Sequence, residues 1–169
     1  LGDVYKRQFP QWCAWFVGPL AAAQATLLAC TLVAYTGMYL YVRDVLRVTP
    51  WVAAAAALVL ALEAFVPARL VVGHLGFHSQ ALGPLLAWCL LRPGRSLACI
   101  LGATMLATYI VLSGNVYGAP AIALWIAGAA AVAVWRGADW RVFAVRAVTA
   151  LALSLLLCAE KLYLAFAFV

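Results

Sequence analysis

Charge is scarce in this chain: 9% of its 169 residues are Asp, Glu, Lys or Arg, against 69% apolar. Soluble domains carry about a quarter charged residues. The shortage, with a mean hydropathy of +1.06, excludes a soluble domain and predicts an integral membrane protein built from apolar stretches of spanning length. Carboxylates are scarcest of all, namely Asp3, Asp44, Glu63, Asp139 and Glu160. No nucleophile elbow is present, so a Ser-His-Asp hydrolase is unsupported. Cys13, Cys30, Cys89, Cys99 and Cys158 all lie inside apolar runs without metal-ligand spacing, and read as small buried hydrophobes rather than a disulfide framework or zinc site. No run alternates polar with apolar residues, which excludes a membrane β-barrel. There is no convincing internal repeat and no hydrophilic module. The fold expected is therefore all-α: a polytopic transmembrane bundle of about six segments, the third short or broken.

The chain has no initiator methionine and stops within the apolar run Leu162–Val169, as a piece of a longer protein would. Asp3-Val4-Tyr5-Lys6-Arg7-Gln8 matches one reading frame of a transposase-end library adapter. Residues 1–8 are therefore expected to be a scar, and 9–169 a single transmembrane helical domain.

What is present is a succession of apolar runs divided by short turns. The first, about Trp15 to Val42, ends in the interface anchors Tyr39, Tyr41 and Arg43. Thr49-Pro50 reads as an N-cap with proline at the first helical position. The alanine-rich second run, Trp51 to Val66, is closed by Pro67. The third, Ala81 to Leu91, contains Gly83-Pro84 and is too short to cross alone. Either the preceding residues complete it as a helix, or it is a broken helix lining a cavity. Further runs cover about Leu97–Leu112, Ala119–Trp135 and Val142–Ala159, with Glu160-Lys161 before the last apolar stretch.

The net charge of +6 comes almost wholly from arginines, and they are unevenly placed. Arg43, Arg47, Arg92, Arg95, Arg136, Arg141 and Arg146 fall in alternate turns, seven of the nine basic residues left once 1–8 is removed. This is the mark of membrane topology rather than of nucleic-acid binding. It places those turns in the cytoplasm and Glu63, Arg69, His74, His78, Asn115 and Tyr117 on the opposite face.

The most polar stretch of that face is Pro67-Ala68-Arg69-Leu70-Val71-Val72-Gly73-His74-Leu75-Gly76-Phe77-His78-Ser79-Gln80. Its basic groups either snorkel in the headgroup layer or form a site, since ionisable groups between apolar runs are costly. His74 and His78 are four apart and would share a helical face. Gly73 and Gly76 weaken the helix, however, and no acidic ligand is adjacent, so no metal is expected. Phosphate suits the set better: Arg69 offers a fork of donors, the imidazoles add hydrogen bonds, and glycines admit a headgroup to the backbone.

Arg69-Leu70-Val71-Val72-Gly73-His74-Leu75 followed by Pro84-Leu85, with the later turn Gly114-Asn115-Val116-Tyr117, resembles bacterial polytopic membrane glycosyltransferases of the GT-C superfamily and the related YfhO-like membrane proteins. The resemblance runs over Phe9 to Val169. It implies an enzyme of the bacterial inner membrane that takes sugar from a polyprenyl-phosphate donor on the non-cytoplasmic face, with the lipid bilayer and the lipid-linked sugar as partners. It implies no cofactor. Arg69, His74 and His78 would bind phosphate, and Asn115 and Tyr117 would touch sugar or acceptor. The family's catalytic acid usually lies in the first outer loop. Phe9 to Gln11 contain no acid, so it is expected upstream. Glu63 is the outer-face acid near the motif, either as a partner for Arg69 or as a base. A transporter or lipid-linked-sugar flippase is the alternative, with the third run as its binding site. A structural membrane subunit is the third reading.

Overall fold

The computed structural model describes residues 14–62, 75–94, 96–113, 118–159 and 163. Every regular element among them is helical. In order they are α1 (Pro19–Leu40) continued by a π turn (Tyr41–Val45), α2 (Pro50–Ala61), a 3₁₀ helix (Leu75–Leu82) leading directly into α3 (Gly83–Leu91), α4 (Leu97–Leu112), α5 (Gly118–Trp135) and α6 (Trp140–Leu157). Two segments, Pro19–Val45 and Trp140–Leu157, are long and apolar enough to cross a membrane; α2, α4 and α5 are shorter apolar helices.

Local chemistry sets the helix starts. Pro19 and Pro50 occupy first-turn positions, where a missing N–H costs nothing. Thr49 is the N-cap residue expected before Pro50, but its hydroxyl makes no capping bond. At α6 the cap is made: Asp139 Oδ1 accepts from Arg141 N at 2.9 Å, so α6 begins at Trp140 rather than Val142. The third run resolves an open choice. The residues before it are helical, and Gly83-Pro84 does not interrupt it; Pro84 lies in the first turn of α3. Eight residues at 3₁₀ rise and nine at α rise reach about 30 Å end to end, near the thickness of a bilayer's hydrocarbon core.

The packing places small residues inside and large ones outside. On α1 the buried positions are Ala22, Thr26, Cys30, Ala34 and Gly37, one per turn. Ala53 and Ala57 of α2, Ala103 of α4, Ala133 of α5 and Ala150 of α6 are likewise buried. Leu20, Leu28, Leu32, Val59, Leu101, Leu124, Val148 and Leu156 are exposed. Small seams let backbones approach where no water drives the large side chains together. The approach is closest at Gly37, where a Cβ would stand 2.4 Å from the Leu85 backbone nitrogen. An outward belt of this size is a membrane or partner surface, since soluble monomers rarely show one.

The centre of the bundle is the shortest helix. Gly83, Pro84, Leu86, Ala87, Cys89, Leu90 and Leu91 of α3 are all buried, and α3 packs on α1, α4, α5 and α6. At its C-terminal end the arginine-bearing turns come together. Trp88 Nε1 donates to Asp44 Oδ2 at 3.0 Å, and Arg146 reaches the turn after α3. Arg146 departs from its expected place in a turn: it lies inside α6, buried to 3% exposure.

Candidate functional site

Of the six residues singled out from the sequence, the described structure contains one. Glu63, Arg69, His74, Asn115 and Tyr117 lie outside the described residues, as do residues 1–13. His78 sits in the 3₁₀ helix and is 4% exposed. It belongs to the bundle interior and does not snorkel among headgroups. Its Nε2 is 2.6 Å from the hydroxyl of Tyr109 on α4, and the two rings meet edge to face at 5.5 Å. From α1, Cys30 Sγ donates to the His78 backbone carbonyl at 3.7 Å. Ser79 next to it is wholly buried. Three helical elements thus meet at His78, α4 at its ring and α1 at its backbone carbonyl.

Its level in the bundle follows from α4. Tyr109 is twelve residues beyond Leu97, about 18 Å along the helix from the arginine end. His78 therefore lies in the half of the bundle away from the Leu97 end of α4. The pair is a hydrogen bond in which either partner can be the donor, according to the imidazole tautomer. No group of three His, Cys, Asp or Glu residues able to hold a metal occurs among the described residues.

Next to this junction, α4 and α6 share a second polar level. Cys158 Sγ contacts the Thr108 carbonyl at 3.8 Å. The hydroxyls of Thr108 and Ser154 are buried with no hydrogen-bond partner in the structure. Thr26, Thr31 and Thr104, by contrast, return their hydroxyls to carbonyls one turn earlier, the usual way such residues are accommodated in apolar helices.

The opposite end is built from cations. Arg146 donates to the carbonyls of Cys89 and Leu90, each at 3.4 Å, to Arg92 O at 2.5 Å, and to Gly94 O. Those of Cys89 and Leu90 are among the carbonyls that the C-terminus of α3 leaves unpaired, at the negative end of its dipole, and those of Arg92 and Gly94 belong to the turn that follows. A guanidinium from α6 thus closes α3, while Gly94, at φ +88°, turns the chain away in a conformation favouring glycine. Outside this buried cation, Arg43 pairs with Asp44 at 2.6 Å and covers the Tyr39 ring at 5.1 Å. Arg92 lies over Trp88 at 4.9 Å and Arg141 over Trp140 at 5.9 Å.

Sequence reasoning did not single out Tyr109, Trp88 or a capping role for Arg146. The available signal was a polar-tipped or charged residue inside an otherwise apolar run, and Tyr109 and Arg146 both carry it. Comparison with family models, curated proteins and solved structures finds no match to this chain.

Proposed function

We propose that this chain is the membrane-embedded part of a polytopic glycosyltransferase that uses a polyprenyl-phosphate-linked sugar, working on the face opposite its arginine-bearing turns. In this reading six segments span a bacterial inner membrane and the arginine turns are cytoplasmic. The observation that carries it is the burial of His78 against Tyr109 in the half of the bundle away from the Leu97 end of α4. His74 and Arg69 stand four and nine residues before that anchored imidazole in the sequence. Arg69 and His74 would hold the departing phosphate, stabilising the charge that develops on it. His78 serves as the buried end of the same segment. Asn115 and Tyr117 remain candidates for sugar or acceptor contacts, and Glu63 for pairing with Arg69.

One observation favours a second reading, a lipid-linked-sugar flippase or transporter. The path through the bundle centre changes from 3₁₀ to α at Leu82–Gly83, and a 3₁₀ stretch joined to an α-helix often marks a functional hinge, which a transporter would use. Reconstituted protein separates the two. Sugar transfer from a polyprenyl-phosphate donor to an added acceptor, lost in Arg69→Ala and reduced at least tenfold in Arg69→Lys, supports the transferase. Donor movement between leaflets without transfer supports the flippase. Neither activity in the wild-type chain, with the variants indistinguishable from it, refutes both and leaves a structural subunit.

A further inference from the structure

We propose that the arginine end of the bundle is a recognition surface for anionic phospholipid headgroups, with a phosphodiester seated between Arg43 and Arg92. The inference rests on the membrane reading but concerns the opposite end from the sugar-donor site. Its first support is the residue type. No lysine occurs among the described residues, and Arg43, Arg47, Arg92, Arg136 and Arg141 are exposed. Arginine's planar fork matches two phosphate oxygens at once, where lysine offers a point charge.

The second support is preorganisation. Arg43 and Arg92 are each laid on an aromatic ring, Tyr39 and Trp88. Trp88 is itself fixed by donating to Asp44, whose other oxygen accepts from Arg43 Nε at 2.6 Å. Asp44 therefore sits within a single cluster with Arg43, Trp88 and the charge of Arg92. That bond uses one of the five N–H donors of Arg43. Two guanidiniums around one carboxylate leave a net positive charge on a rigid platform, so a phosphate meets side chains already ordered.

The third support is position. Trp51, Trp135 and Trp140, at or next to the ends of α2, α5 and α6, are exposed at this end. Indoles there mark the level of the headgroups. The remaining carboxylate, Asp139, is occupied as the α6 cap. Basic pockets between helices on a cytoplasmic side suit such lipids, each arginine contributing about fivefold in affinity.

The test is lipid retention by the chain in nanodiscs, read by native mass spectrometry and by thermal stability. Phosphatidylglycerol is compared with phosphatidylcholine, and free glycerol 3-phosphate is added as a competitor. The wild type should retain phosphatidylglycerol preferentially and be stabilised by it. Arg43→Gln with Arg92→Gln should lower that preference roughly 25-fold. Arg43→Lys with Arg92→Lys, which keeps charge and fold, should lose a substantial part of it. Arg136→Gln, outside the cluster, should change it fivefold or less. Equal retention of the two lipids by the wild type, or unchanged preference in the double glutamine variant, overturns the proposal. Full displacement by glycerol 3-phosphate also overturns it, in favour of a soluble phosphate ligand. Failure of the wild type to insert into nanodiscs at all would instead refute the membrane reading, which keeps the two failures distinguishable.

Discussion

Replacing Arg146 by methionine tests how this bundle is held together. The thioether chain fills similar space but donates nothing, so the carbonyls of Arg92 and Gly94 lose their charged partner and those of Cys89 and Leu90 lose longer contacts. A hydrogen bond to a charged group contributes about 1.5–3 kcal/mol, and two short ones bound the loss near 3–6 kcal/mol. Two effects reduce it. Removing the cation also removes the cost of burying it, and Arg92 and Gly94 are exposed enough for water to replace part of the lost bonding. The expected net destabilisation is about 2–4 kcal/mol. Equilibrium unfolding by SDS from mixed micelles, followed by helical circular dichroism, reads it directly. Arg146→Lys should recover only part, because an ammonium cannot reach carbonyls on both sides of the turn with a planar fork. A methionine variant within about 0.5 kcal/mol of wild type would refute the capping role, since it would mean that the carbonyls of α3 and of the turn after it are satisfied equally well without the guanidinium.

Gly37→Ala should destabilise the bundle by about 1–3 kcal/mol in the same assay, because its Cβ meets Leu85 backbone rather than a flexible side chain; Gly102→Ala, which meets only the Cys89 sulfur at 3.3 Å, should cost less. Tyr109→Phe and His78→Phe should each lose roughly 1–3 kcal/mol, and a double-mutant cycle should show positive coupling between them. Additive losses would deny their hydrogen bond. For topology, a cysteine replacing Leu62, exposed at the end of α2, should react with an impermeant thiol reagent from outside. One replacing Arg136, exposed in the turn after α5, should react only after permeabilisation, both in a background without native cysteines. The reversed pattern would invert the assignment of faces.

The helices were legible because apolar run length and Pro/Gly punctuation are local properties. The runs from Leu97, Ala119 and Val142 correspond to α4, α5 and α6 with shifts of no more than two residues at either end. The third run was ambiguous for a physical reason: Gly83-Pro84 reads as a break unless the chain before it is already helical, in which case proline merely occupies a first turn. Two of the arginine-bearing turns meet, through Asp44 and Trp88. Arg146 was counted with them because sequence spacing shows a charge near a turn but not whether it points inward. The same limit applies to His78, for which headgroup snorkelling and interior burial look alike until Tyr109 and Cys30 are brought beside it. Long-range partners 31 and 48 residues away leave no local trace.

The distribution of polar contacts explains why the shortest helix occupies the centre. In an apolar surround, exposed leucines gain little by leaving the lipid, so association relies on close backbone contact and on polar groups that find partners only inside. The segment Leu75–Leu91 collects most of these contacts. It meets α4 through His78 and Tyr109, the π turn through Trp88 and Asp44, α1 through Gly37 against Leu85, and α6 through the Cys89 and Leu90 carbonyls that Arg146 approaches. Those contacts lie at different heights, so sliding α3 along its neighbours by a single turn would break all of them together. The tie between the π turn and α5, Tyr41 hydroxyl to Ala129 carbonyl at 2.8 Å, sets a further level without involving α3. A mid-bundle segment locked at both ends is a poor moving part and a good fixed frame. That property favours a transferase, which needs its donor phosphate held still, over a flippase, which would have to release these contacts in each cycle.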